Sequence, residues 1–85
     1  MNKTNPQIKK HIIEVVNNQL RDNDPPETNE TLQRLISEGI PEKEAIELIG
    51  SVVCYEIFHV LKSNKPFNET RYVSALKKLP SLPEE

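Results

Sequence analysis

Seven prolines punctuate this chain of 85 residues, and their positions limit what it can build. Proline inside a helix removes a backbone hydrogen bond and clashes with the preceding turn, yet it suits a helix's first position. Pro6, the Pro25-Pro26 pair, Pro41, Pro66 and Pro80 therefore mark starts or breaks. The residues between them repeat at helical spacing, which predicts an all-α bundle of about four helices.

Asn5 can cap and Pro6 can open a first helix over about residues 6–21, with Ile8, Ile12, Val15, Val16 and Leu20 recurring along it. After the turn Asp22–Pro25, a second helix begins at Pro25-Pro26 with Asp24 as its cap. Gly39 ends it, since glycine enters the left-handed conformation without a steric penalty. Its stripe of Leu32, Leu35 and Ile36 is narrow, which predicts a helix on the outside.

The third helix, over about 41–62, is the longest. Ile46, Ile49, Val53, Ile57 and Val60 form one stripe, and Ala45, Leu48, Val52 and Tyr55 form a second. A helix apolar around most of its girth is central. Gly50 inside it costs about 1 kcal/mol against alanine, which points to close approach of a neighbouring helix or a second chain. Asn68 caps a short fourth helix with Tyr72, Val73 and Leu76 inward and Leu79 at its end. Residues 1–80 read as one helical domain, and 81–85 as a flexible C-terminal tail. Short connections make sequential neighbours antiparallel.

Cys54 is the one cysteine, so no internal disulfide can staple this small domain, and a reducing, cytoplasmic compartment is expected. With 35% apolar residues and four aromatics (Tyr55, Phe58, Phe67, Tyr72), the core is small, or a partner completes it. The net charge is −2, with both signs interspersed. Phosphate binding needs a basic patch, and Lys9-Lys10 and Lys77-Lys78 are short, so no nucleic acid is expected. No apolar run suits a signal peptide or a span, so no membrane is expected.

No catalytic apparatus is legible. Cys54 lies mid-helix beside Val53 and Tyr55, as inert structural cysteines do. There is no serine elbow, glycine-rich phosphate loop or paired-cysteine motif. Histidine and carboxylate meet at helical spacing twice, in His11-x-x-Glu14 and Glu56-x-x-His59. If helices one to three run up, down and up, the first and third are parallel. His11 then stands about 8 Å above its helix start and His59 about 27 Å, so the two pairs lie at different levels. Glu44 and Glu47 fall near the level of His11. His11, Glu14 and Glu47, with Asn18 one turn above, are the candidate ligands of a divalent ion such as Zn, Mn or Fe. The competing reading is a polar, solvated seam.

Gln19 falls among Ile8, Ile12 and Val16 on the apolar face. A buried amide needs partners, and a free backbone group in the Pro25-Pro26 turn or at the start of the second helix is expected to supply one. Arg71 is the expected ionic partner of Glu56.

As an ordered set, several segments carry a resemblance: Val15-Val16-Asn17-Asn18-Gln19, Asp24-Pro25-Pro26-Glu27, Leu32-x-x-Leu35, Glu44-Ala45-Ile46-Glu47-Leu48-Ile49-Gly50-Ser51-Val52, Pro66-Phe67 and Arg71-Tyr72-Val73-x-Ala75-Leu76. Over about residues 8–80 the chain resembles a family of small uncharacterised bacterial helical proteins, a domain-of-unknown-function group. The resemblance implies a helical domain in a bacterial cytoplasm and no particular activity. Similar sequences carry histidines around the segment of Glu44 and Glu47, where this chain has Lys43 and Glu47.

Three functions follow in order of expectation. The first is a non-enzymatic helical interaction domain without a cofactor, whose partner is itself, as a homodimer, or another protein. The second is a divalent-metal protein using His11, Glu14 and Glu47. The third is a helix-turn-helix nucleic-acid binder built on the Gly39-Ile40-Pro41 corner, which the acidic Glu42, Glu44 and Glu47 disfavour.

Overall fold

The structure, a computed structural model, describes residues 6–83. The expected Asn5 cap lies outside the described residues. Four helices follow in order: α1 Pro6–Asp22, α2 Pro26–Ser37, α3 Glu42–Ser63 and α4 Glu69–Lys78. No strand occurs among the described residues. The boundaries expected from the prolines, Gly39 and Asn68 thus fall within a residue or two of those observed.

The helix ends show why the boundaries fall there. At the end of α2, Gly39 takes φ +98°. Its N–H donates to the Ile36 carbonyl, and the Ile40 N–H reaches back to the Leu35 carbonyl, both at 3.0 Å. This paired closure satisfies carbonyls that the helix leaves free. At the start of α4, Asn68 Oδ1 accepts from the Arg71 N–H at 3.0 Å, as its cap position predicts. Asp24 does not cap α2. Pro25 holds the cap position without a side-chain bond, and its carbonyl accepts from the Thr28 N–H at 3.1 Å.

The core gathers Val16 of α1, Leu32 and Leu35 of α2, Ala45, Ile49, Val52 and Val53 of α3, and Tyr72, Leu76 and Leu79 of α4 and its end. Burying each large aliphatic side chain contributes roughly 1.5–3 kcal/mol. α3 is central, as its girth predicts. α2 is not peripheral: it packs against all three other helices. Buried Thr28 and Thr31 widen its inner face beyond the leucine stripe. Threonine's methyl packs like a small aliphatic group, and the Thr28 hydroxyl donates to Gln19.

α1 does not run beside α3 as a parallel neighbour. Lys9, Ile13 and Asn17, on one flank of α1, face Glu42–Glu47 at the start of α3. Ile8 and Ile12, earlier on α1, lie with Ser51 and Cys54, later on α3. The contacts thus run along α3 in the reverse of a parallel pair's order, and α1 passes over Gly50. A Cβ built on Gly50 would stand 3.2 Å from Ile12 Cγ2 and 3.6 Å from Ile13 Cδ1. The glycine is thus explained by α1 itself, not by a second chain. Gly50→Ala should be near neutral, because the helix-propensity gain of about 1 kcal/mol offsets a contact that half-buried Ile12 can relax. Gly50→Leu should lose about 1–3 kcal/mol by overpacking the crossing, measurable by urea denaturation.

Ser81–Pro83, within the stretch expected as a tail, fold back: the Ser81 N–H donates to the Lys78 carbonyl at 2.9 Å and Pro83 is half-buried. Residues 84–85 of that stretch lie outside the described residues.

Candidate functional site

Three polar clusters and one apolar face stand out. Gln19 anchors the first. Its Oε1 accepts from the Thr28 hydroxyl at 2.8 Å and from the Tyr72 hydroxyl at 2.7 Å. The amide is ordered as expected and one partner lies at the start of α2, but its bonds come from side chains, Thr28 of α2 and Tyr72 of α4, rather than from backbone. Burial raises the Tyr72 phenol above its ordinary value, against the pull of its Thr28 and Gln19 bonds, so it stays a neutral donor.

Glu56 forms the second cluster. Its carboxylate accepts from Arg71 Nη2 at 2.6 Å, Arg71 Nε at 3.1 Å and the Asn68 N–H at 3.2 Å. The pairing expected from sequence is present, and it is buried on one side: Glu56 is 6% exposed and Arg71 39%. Burial pushes the carboxyl up, but the Arg71 fork, the Asn68 N–H and, to a lesser degree, the His59 charge together hold it below its ordinary value. The pair forms part of the wall of an open cleft of about 610 Å³ between α3 and α4, with Tyr55, Phe58, His59 and Lys62 also on its walls.

The third cluster holds the metal-ligand candidates. His11 Nδ1 lies 3.5 Å from Glu14 Oε1, so those two side chains meet. Glu47 instead meets Lys9, with Oε2 3.5 Å from Nζ. All of these groups are more than a third exposed. Among the described residues, no group of three histidine, cysteine or acidic side chains is placed to hold a metal ion. Glu44 is exposed on the first turn of α3, and Asn18 is exposed on α1.

The apolar face is the outer side of α3. Its 22 residues make a rod about 33 Å long, more than twice the length of α4. α1 passes over it near Gly50, and beyond that point no helix among the described residues covers the outer side. Leu61 is 77% exposed, Phe58 51%, Ile57 43% and Tyr55 37%. Cys54 is free and exposed on the same side. Lys62 Nζ lies 5.9 Å from the Phe58 ring centre, in cation–π reach. Scattered exposed apolar side chains are ordinary, whereas a contiguous row marks a contact surface.

No family model, curated protein or solved structure matches this chain. Its own residues therefore carry the functional argument. No helix among the described residues is long and apolar enough to cross a membrane.

Sequence reasoning missed the direction of α3's apolar girth. It assigned Ile57 and Tyr55 to the core with Val53 and Val52. The signal that separates them is present: buried Glu56 marks the inner face at that level, because Arg71 on α4 must reach it.

Proposed function

We propose that the chain is a small non-enzymatic helical interaction domain that self-associates through the outer face of α3. The observation that carries this reading is the exposure of Tyr55, Ile57, Phe58 and Leu61 across the outer half of one helix. Leaving such a patch in water forgoes roughly 25 cal/mol for each Å² of apolar surface, and a second copy offers the same patch in return. A closed two-fold contact buries this patch on both chains. The single free cysteine fits a reducing cytoplasm.

Sedimentation velocity and native mass spectrometry of untagged protein test this from about 1 µM to 1 mM. A dimer mass supports the reading. Phe58→Glu places a charge in the contact and should return the protein to monomer, with its far-UV circular dichroism unchanged because Phe58 is half in solvent. A wild-type chain that stays monomeric throughout overturns the reading.

A further inference from the structure

We infer that the occupant of this face is a second copy lying antiparallel along α3, with Phe58 opposite the partner's Cys54 and Leu61 opposite the partner's Ser51. This rests on the self-association proposed above and gives it a geometry.

The spacing comes first. Glu47, Ser51, Cys54, Phe58 and Leu61 follow one another at steps of four, three, four and three. That alternation keeps one straight seam turned toward a partner helix. The five lie on the side of α3 opposite buried Ala45, Ile49, Val52 and Glu56.

The sizes are asymmetric along the seam. After Glu47, which pairs with Lys9, it carries the small Ser51 and Cys54 and then the large Phe58 and Leu61. A parallel pair would set large against large at one end and leave voids at the other. An antiparallel pair sets each large side chain against a small one, which fills the contact evenly.

The surface already holds the receiving hollows. One, of about 320 Å³, is lined by Ser51, Cys54, Tyr55 and Phe58. The other, of about 350 Å³, lies where α1 crosses, with Ile8, Ile12, Ser51 and Cys54 in its wall. The first takes the partner's Phe58 and the second the partner's Leu61. Ile8, 55% exposed on α1, then gains an apolar neighbour. The two-fold axis passes outside residue 56, so Tyr55 and Ile57 flank it and each meets its own copy. One register thus covers every large apolar side chain exposed on the outer half of α3.

Charge agrees with direction. α3 opens with Glu42, Glu44 and Glu47 around a single Lys43, and it ends at Lys62 with Lys65 just beyond. Antiparallel packing brings the acidic start of one helix toward the basic end of the other and opposes their dipoles.

Cysteine pairing tests the register. In a Cys54→Ser background, Ser51→Cys and Leu61→Cys are made as separate proteins and oxidised with copper–phenanthroline, alone and mixed. Residues facing each other fall within disulfide reach, while two copies of residue 51, or of residue 61, are separated by about 15 Å along the seam. A covalent dimer from the mixture alone is expected. A covalent dimer of Leu61→Cys by itself indicates parallel packing and overturns the inference. A size exchange gives a second reading that needs no cross-link. Ser51→Leu and Leu61→Ser should each weaken dimerisation by about tenfold or more, and the double variant should recover most of it. Failure of both tests in a chain that is still dimeric overturns the register and leaves self-association standing. A wild-type monomer overturns both.

Discussion

Arg71→Met is expected to destabilise the domain by about 3 kcal/mol at neutral pH, the largest loss from any single polar change. Breaking a buried ion pair from one side leaves a desolvated charge, which typically costs about 3–5 kcal/mol. The low end applies because the Arg71 side of this pair reaches solvent. Removing Arg71 is the harsher cut, since Glu56 is the more buried partner and keeps only the Asn68 N–H. The pH dependence carries the sign. In the wild type the folded carboxyl is held below its ordinary value of 4.5. Its contribution is present above that value and is lost as pH falls through the lowered one. In Arg71→Met, burial pushes the same carboxyl up, so the folded state gains stability as pH falls through that raised value. Urea denaturation of both proteins at pH 7 and near pH 4 should show the gap narrowing on acidification. A gap that widens instead rules out the account. Arg71→Met with Glu56→Leu should recover most of the loss, because exchanging a whole buried pair for apolar groups is close to neutral.

Tyr72→Ala should cost about 3–5 kcal/mol, enough to unfold much of a domain this small at ordinary temperature. Tyr72 is the largest of the fully buried side chains, at 1% exposure. It meets Phe67 with ring centres 5.8 Å apart, and its hydroxyl ends on Gln19. Truncation therefore opens a cavity where α2, α3 and α4 converge and removes one of the two hydroxyls that Gln19 Oε1 accepts. Tyr72→Phe separates the two effects: it keeps the volume and should lose about 1 kcal/mol, the net worth of one hydrogen bond. Thermal unfolding of both variants checks the ratio. Equal losses would mean that the hydroxyl, not the ring, holds this corner.

Local signals in the chain were sufficient for the helices and insufficient for their arrangement. Proline positions, Gly39 and the Asn68 cap act within a few residues, so the boundaries are readable. The direction of α1 is not, because it depends on how Ile12 and Ile13 seat over Gly50, a contact between segments nearly forty residues apart. The same distance problem hides α2's importance. Thr28 looks like a surface residue until Gln19 accepts its hydroxyl, Thr31 until the core closes over it, and Arg34 looks like a surface cation until its Nη2 reaches the Leu76 carbonyl at 3.1 Å. At the candidate site, the apolar character of α3 was evident from composition. Which part of it is left for a partner depends on where α1 crosses and how short α4 is.

The Gln19 bonds join residues from three helices, and α1 and α4 are otherwise not neighbours among the described residues. Positions 19, 28 and 72 therefore constrain one another's history. A change at one leaves a polar atom without its match at the others, so tolerated substitutions should arrive together. An all-apolar exchange, Gln19→Leu with Thr28→Val and Tyr72→Phe, is a compatible trio whose members would each be harmful alone. Related chains, wherever they are found, should carry either the whole polar set or a whole replacement, and few mixtures of the two.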